Sequence, residues 1–579
     1  MTVSTSRALP LLTALAAAVA ALAPIAARAA FAEPPVPAIG TRTVATADLL
    51  VKRPGTTPCT VPLFDGVDFI GFTPTPLAYT PPAGCAGAWS KVVLEADYDV
   101  SAGRQFDRTA VIHLDGVNLY FGTTMEPGSA TARAWHVERD VTALSSWLRG
   151  AHAGEAILGN IVDGTYTGHI HGSARLVFYP AGSGYPAAPS AQAVVPLAPS
   201  LTALSPSHPS LDASVTLPRN TERLYLDVIA QSQASDEFWY TCVPDADADV
   251  LQSCPGGAFR EVEVAIDGTP AGVAPVFPWI YTGGIDPHLW TPIPGVQTLD
   301  FTPSRVDLTP FAGLLDDGAA HTVSVSVSGA QDNFSVTATL LAWTDPGATV
   351  VTGGVTRNTL AAPVVKVNDS SLVVDGANAH GKVFTSATRD FTIAGTVNTS
   401  HGTVATTLDT HLTFKNVQNF LIDDTHYDQD IDQHTDMRTL TTVTTPGGSS
   451  TKQVISHFPL RVTFAETVTG DQAILDTTIS QTRRVDTLGH DKDGSSWKRL
   501  TEDTVAPHVT TTYDLNTGIG TSTNQTSHQH FMKRDEQGCY DRTITVADNA
   551  VTAVNDLCTG GGQAATRKPA TAAPAGQRK

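Results

Sequence analysis

The chain has 579 residues, 41% of them hydrophobic, so it can bury more than one core and is not disordered throughout. Its 56 acidic residues outweigh 36 basic ones, for a formal charge of -20. That balance argues against nucleic acid and anionic membrane surfaces as partners, because both select a basic face.

The N-terminus, MTVSTSRALPLLTALAAAVAALAPIAARAAFAEP, reads as a secretory signal peptide over 1–32. Arg7 supplies the positive end and residues 11–25 the apolar stretch. Ala27-Arg28-Ala29 and Ala30-Phe31-Ala32 both place small residues at cleavage spacing. Pro24 within a short Ala-rich run disfavours a membrane anchor, so a secreted or periplasmic protein is expected. The cysteines fit that compartment. Neighbours pair most simply as Cys59-Cys85, Cys242-Cys254 and Cys539-Cys558, and the absence of any C-x-x-C argues against zinc.

Thr, Val, Gly and Pro are abundant and no long Leu/Glu/Lys stretch occurs, so an all-β protein is predicted. In the first block, 38–180, QFDRTAVIHLDGV alternates like a strand: Thr109, Val111 and His113 on one face, Ala110, Ile112 and Leu114 on the other. Asp115-Gly116 then turns the chain. Asp107 stands just before this strand and Glu126 just after the hairpin, beside Pro127. On the residues alone, the plainer reading of Asp107 is an acid paired with Arg108 or capping turn amides. His113, His136, His169 and His171 also lie in this block; lone strand histidines are more often structural, and no role is assigned to them.

A Pro/Ala/Gly/Ser-rich segment, 181–200, reads as a linker. The second block, 201–345, repeats the grammar of the first. FREVEVAIDG answers FDRTAVIHLDG, SRVDLTPFAGLL answers ERDVTALSSWL, and VTATLLAW answers ARLVFYP. Tandem jelly-roll β-sandwiches are the expected architecture. This block carries an acid-aromatic cluster, SDEFWYTCVPD, and a Gly/Pro-rich stretch, FPWIYTGGIDPHLWTPI, expected to be a long structured loop. Rings beside carboxylates suit sugars, and an edge strand with buried aromatics is an equal reading.

The third block, 355–560, is Thr- and His-rich and reads as long antiparallel strands, with PGGSS as one turn. In DDTHYDQDIDQHTDM, Asp424, His426, Asp428, Asp430, Asp432, His434 and Asp436 share parity and would line one strand face. A calcium loop fails there, because Gln433 stands where glycine is needed and Thr439 where the closing Glu belongs. A solvated face is the better reading. The tail, 561–579, has no means of burying a core.

FDRTAVIHLDGV, TTMEP, WHVERDVT, YTGHIHGSARLVFY, DEFWYTCVP, FREVEVAIDG and PWIYTGGIDPHLWTPI occur in that order, and together they resemble the peptide:N-glycanase A family from residue 105 to residue 311. A more distant likeness is to peptide:N-glycanase F. The resemblance implies a glycoamidase that releases N-glycans from asparagine of glycopeptides and glycoproteins, acting as a monomer and with no metal or organic cofactor. It implies Asp107 as the catalytic aspartate of a Trp-Asp-Arg-like Phe106-Asp107-Arg108, and Glu237, before Phe238-Trp239, as its partner. Where plant-type sequences carry Glu-Asn, this chain has Gly159-Asn160, and Glu126 or Asp163 would take that role. Arg108, Asp236, Trp239, Tyr240, Arg260, Trp279, Tyr281 and Trp290 are then expected to bind substrate. A glycoside hydrolase of the endo type and a non-catalytic carbohydrate-binding or adhesin protein are the alternatives.

Overall fold

The computed structural model describes residues 33–536 and 538–558. The expected signal segment 1–32 and tail 561–579 lie outside the described residues. In the first sandwich, one sheet runs Cys59–Phe69, Ile170–Pro180, Trp89–Val100, Arg133–Asp140 from edge to edge. The other runs Thr75–Tyr79, His152–Leu158, Thr109–Leu114, Val117–Thr123. Counted within the sandwich, the orders are 1-8-3-6 and 2-7-4-5.

The second sandwich repeats both orders. Thr202–Leu204, Asn333–Thr344, Thr221–Gln233 and Ser304–Asp307 form one sheet. Ser210–Val215, His321–Ser328, Glu261–Ile266 and Thr269–Pro275 form the other. Placing the first strand beside the last is the jelly-roll arrangement, so the tandem expected from the repeated grammar is present. The two Asp-Gly dipeptides turn equivalent hairpins. Asp115 and Gly116 have φ of 43° and 81°, Asp267 and Gly268 48° and 74°. Two successive positive φ values make the tight turn that matches strand twist, and Asp followed by Gly tolerates them at little cost.

The strand Thr109–Leu114 keeps the expected alternation, and both of its faces are buried. Ala110, Ile112 and Leu114 enter the core of the first sandwich, while Val111 joins the core of the second. His113 is 1% exposed, and among the described residues neither ring nitrogen has a partner. Burial pushes its pKa down to about 4 and keeps it neutral. The second jelly roll covers what would otherwise be a wet face, so both faces are dry.

The segment expected to be a linker contributes a strand of its own, Ala193–Pro196, paired with Asn333–Thr344. Val194 packs against the first core and Val195 against the second, so β-branched side chains fix the connection. All three cysteine pairs form the expected disulfides. Among the described residues no helix is long and apolar enough to cross a membrane.

The remaining strands form one 12-stranded sheet. Its long strands meander antiparallel, and Pro446-Gly447 makes the expected turn, with Thr445 opposite Gly448. Along His426–Thr445, Asp428, Asp430, Asp432, His434 and Asp436 reach solvent while Gln429, Ile431, Gln433 and Thr435 are buried. The aspartate run is therefore a solvated face. The buried face grips loops of the second sandwich through amide donors. Asn416 Nδ2 donates to Tyr240 O at 2.9 Å, Gln418 Nε2 to Cys242 O at 2.9 Å and Gln481 Nε2 to Pro278 O at 2.6 Å. Those loops lead to the site.

Candidate active site

Asp107 enters the strand Thr109–Leu114 and Glu126 follows its partner Val117–Thr123, in a register that sets Thr109 opposite Thr123. The ladder runs one step further: Arg108 N–H donates to Thr124 Oγ1 at 2.9 Å and Thr124 N–H to Arg108 O at 3.0 Å. This places the two acids side by side, with Asp107 N–H donating to Glu126 Oε1 at 3.3 Å.

The second jelly roll closes the arrangement. Glu126 N–H donates to Thr282 Oγ1 at 3.2 Å, and Thr282 Oγ1 donates to Thr124 O at 2.9 Å. Gly283 N–H donates to the Asp107 carboxylate. A Cβ on Gly283 would stand 2.6 Å from Asp107 Oδ1 and nearer still to Glu126 Oε1, so the position has room only for hydrogen. Glu237 comes from the end of Thr221–Gln233. There Ala234 bends the chain at a φ of 52°, and Glu237 N–H donates to Ala234 O at 3.1 Å.

Burial raises all three carboxyls. It lifts Asp107 to about 6, against which its own N–H, Gly283 N–H and the Arg108 charge pull downward. Glu126 rises to about 7 through burial and then through the neighbouring Asp107 charge. Glu237 rises to about 7 for the same two reasons. One acid thus ionises before its two neighbours, the separation that lets carboxyls divide into base and acid.

Arg108 is held by Gln105. Its Nη2 donates to Gln105 Oε1 at 2.7 Å, and Gln105 Nε2 donates to Ile161 O at 2.8 Å and Gly168 O at 3.0 Å. The exposed aromatic rings of the first jelly roll are not those expected to bind substrate. Phe106 is 43% exposed, and its ring lies 5.4 Å from that of Tyr166. Phe72 is 71% exposed and lies over Gly159, where a Cβ would come within 2.6 Å of Phe72 Cδ1. A side chain at Gly159 would have to displace the exposed Phe72 ring. Asp163 is exposed and accepts from Thr165 and Tyr166 N–H at 2.7 and 2.8 Å, leaving Glu126 as the acid beside Asp107.

The expected substrate-binding set needs correction. Arg260 and Asp236 have fully buried side chains in a 2.8 Å ion pair. Asp236 Oδ2 also accepts from Gln331, Asp332 and Asn333 N–H at 2.9, 2.7 and 3.2 Å. Trp239, Tyr240 and Trp290 are 0% exposed, Tyr281 2% and Trp279 5%, so none offers a ring face to a sugar. They brace the site from behind. Tyr281 OH donates to Ser232 O at 2.6 Å, and Trp290 Nε1 donates to Gly284 O at 2.8 Å, pinning the turn that carries Gly283. His288, not singled out in the sequence, bonds Asp286 at 2.9 Å; that bond raises its pKa, and the Glu126 charge adds to the rise.

Two jelly rolls whose adjoining loops gather acids around one glycine define a two-sandwich protein with a carboxyl-lined site. The family described as peptide N-acetyl-beta-D-glucosaminyl asparaginase amidase A matches residues 53–360, more than half of the chain, and the chain belongs to that family. Peptide-N4-(N-acetyl-beta-glucosaminyl)asparagine amidase A of Prunus dulcis is 32% identical over 381 residues, which take in 62% of this chain and 66% of that protein. The chain therefore spans just under two thirds of the length of this relative. PNGase F, a glycosylasparaginase from Flavobacterium meningosepticum, is 14% identical, with 50% of this chain and 96% of that one covered and a TM-score of 0.34. PNGF-II is 12% identical, with 50% and 65% covered and a TM-score of 0.33.

Proposed function

We propose that the protein is a secreted glycoamidase that hydrolyses the amide between N-acetylglucosamine and asparagine in N-glycopeptides and N-glycoproteins. The observation that carries this reading is the convergence of Asp107 and Glu126 on Gly283, with Glu237 within reach of the Asp107 charge. Family membership supports the same chemistry.

In this reading the Asp107 carboxylate takes a proton from water as the water oxygen bonds to the side-chain carbonyl carbon. The carbon–nitrogen bond then breaks, and protonated Glu237 gives its proton to the departing nitrogen. Asparagine becomes aspartate, and the glycosylamine released loses ammonia to water. Arg108 favours the ionised form of Asp107, and Glu126 positions it through the Asp107 N–H. Phe106, Tyr166 and Phe72 supply faces on which sugar rings stack.

The same reading divides the chain into jelly rolls over 38–180 and 201–345, joined by 181–200, and a β-rich region over 355–560. The disulfides support export, with 1–32 as its signal. Incubation with a denatured N-glycoprotein tests the proposal. The expected result is conversion of glycosylated Asn to Asp. N-acetylglucosamine left on Asn would make the protein a glycosidase instead, and bound but intact glycan would make it a binding protein.

A further inference from the structure

We propose that Asp68, His169 and His171 form a binding site for a divalent first-row metal ion, zinc by its donor set, on the outer face of the first jelly roll. The site is independent of the proposed hydrolysis. Asp68 on Cys59–Phe69 stands directly opposite His171 on Ile170–Pro180, and His169, two residues before His171, projects to the same face. One donor atom from each residue lies within 4.8 Å of the other two.

The distances suit a shared ion better than direct bonding throughout. His169 Nδ1 is 3.0 Å from Asp68 Oδ2, whereas His171 Nε2 is 3.8 Å from Asp68 Oδ1, too long for a hydrogen bond. Donors bound at about 2.0–2.1 Å around tetrahedral zinc stand about 3.3 Å apart, between these two values. Among the described residues no closer partner of His171 Nε2 occurs.

The second ring nitrogen of His171 is already committed. His171 Nδ1 lies 3.0 Å from Asp99 Oδ1 on the neighbouring strand Trp89–Val100, a carboxylate that holds the proton on Nδ1 and leaves the Nε2 lone pair free. A carboxylate behind a histidine in this way is the usual outer support of a metal ligand. Two imidazoles and a carboxylate are borderline N/O donors that suit zinc, and three protein ligands leave one position for water. The Asp68, His169 and His171 side chains are 37%, 40% and 39% exposed, and His171 also borders a cleft of about 470 Å³ lined by Asp97, Asp99, Trp135 and His136. An ion can reach the site without any rearrangement.

An occupied site would cross-link the end of Cys59–Phe69 to the start of Ile170–Pro180. It would also anchor His169 next to Gly168, whose carbonyl accepts from Gln105, the residue that holds Arg108.

Titration of the intact, chelator-stripped protein with Zn²⁺, and with Co²⁺ followed by its visible spectrum, tests the site. One equivalent is expected, with the intense absorption of low-coordinate cobalt, and both signals should vanish in His169→Ala and His171→Ala. Asp99→Asn should weaken binding by about 10- to 100-fold while leaving one equivalent. Circular dichroism identifies any variant that fails to fold, and Asp68→Asn, which keeps size, then replaces it. No saturable binding to the wild type, or binding undiminished in His171→Ala, overturns the proposal. Neither outcome bears on whether Asn becomes Asp in the product assay.

Discussion

Replacing Gly283 by Ala puts one methyl group into space that Asp107 and Glu126 share. The new Cβ would stand 2.6 Å from Asp107 Oδ1 and nearer to Glu126 Oε1, while unstrained contacts of this kind need about 3.5 Å. Each carboxyl must therefore retreat by about 1 Å. Both are ends of rotatable side chains, and Gly283 is not among the residues of positive φ, so the fold should absorb the change. The chemistry should not. A displacement of about 1 Å in a positioned group costs on the order of 100-fold in rate. Asp107 also moves off Gly283 N–H, a bond that favours its ionised form, so its pKa should climb beyond about 6. The assay is kcat/KM on an N-glycopeptide across pH, with Tm measured in parallel. Gly447→Ala serves as the control, since a Cβ there meets only Thr445 Oγ1 at 3.8 Å. If Gly283→Ala keeps wild-type turnover and an unshifted pH profile, the acids around Gly283 are not the site.

With Asp107 as base at about 6 and Glu237 as acid at about 7, kcat/KM should rise through the first value and fall through the second, and Glu237→Gln should remove the alkaline limb. Asp107→Asn should cut turnover by on the order of 100-fold or more. The same substitution should raise stability at about pH 8. A group raised in the folded state from 3.8 to about 6 stabilises only while protonated and loses that contribution as pH rises through about 6. The shift sets a ceiling of about 3 kcal/mol, which solvent contact of the half-buried side chain reduces to about 1–2 kcal/mol, and the gain should fade toward about pH 4 in thermal melts. Arg260→Ala leaves Asp236 buried and unpaired, so chemical denaturation should show a loss of about 3–5 kcal/mol, with KM of the folded fraction unchanged. Phe106→Ala, at an exposed ring, should raise KM with little change in Tm, which substrate titrations would show.

Much of the architecture was legible because local chemistry repeats. Asp115-Gly116 and Asp267-Gly268 announce equivalent hairpins, and the first of them already brings Asp107 and Glu126 to one end of a strand pair. The parity of Asp428 through Asp436 announces a wet face, and the cysteines pair as neighbours. What the sequence hides is contact between distant segments. Gly283 carries no functional group, and its role exists only because the turn that Trp290 pins meets a hairpin of the other jelly roll. Trp239 and Tyr240 look like sugar platforms until the 12-stranded sheet covers them. That covering face is itself disguised, since Asn416, Gln418 and Gln481 are polar residues buried by bonding to loop carbonyls. The exposed ring of Phe106 adjoins Asp107 in the chain, and that adjacency was the available signal for it.

The most direct measurement is hydrolysis of an N-glycopeptide in ¹⁸O-labelled water, with the peptide product sequenced by mass spectrometry. Attack by water on the side-chain carbonyl predicts one labelled oxygen in the new Asp carboxyl and a glycan released with its reducing end intact, both lost in Asp107→Asn. A peptide that keeps N-acetylglucosamine on unlabelled Asn, or label incorporation that persists undiminished in Asp107→Asn, would contradict it.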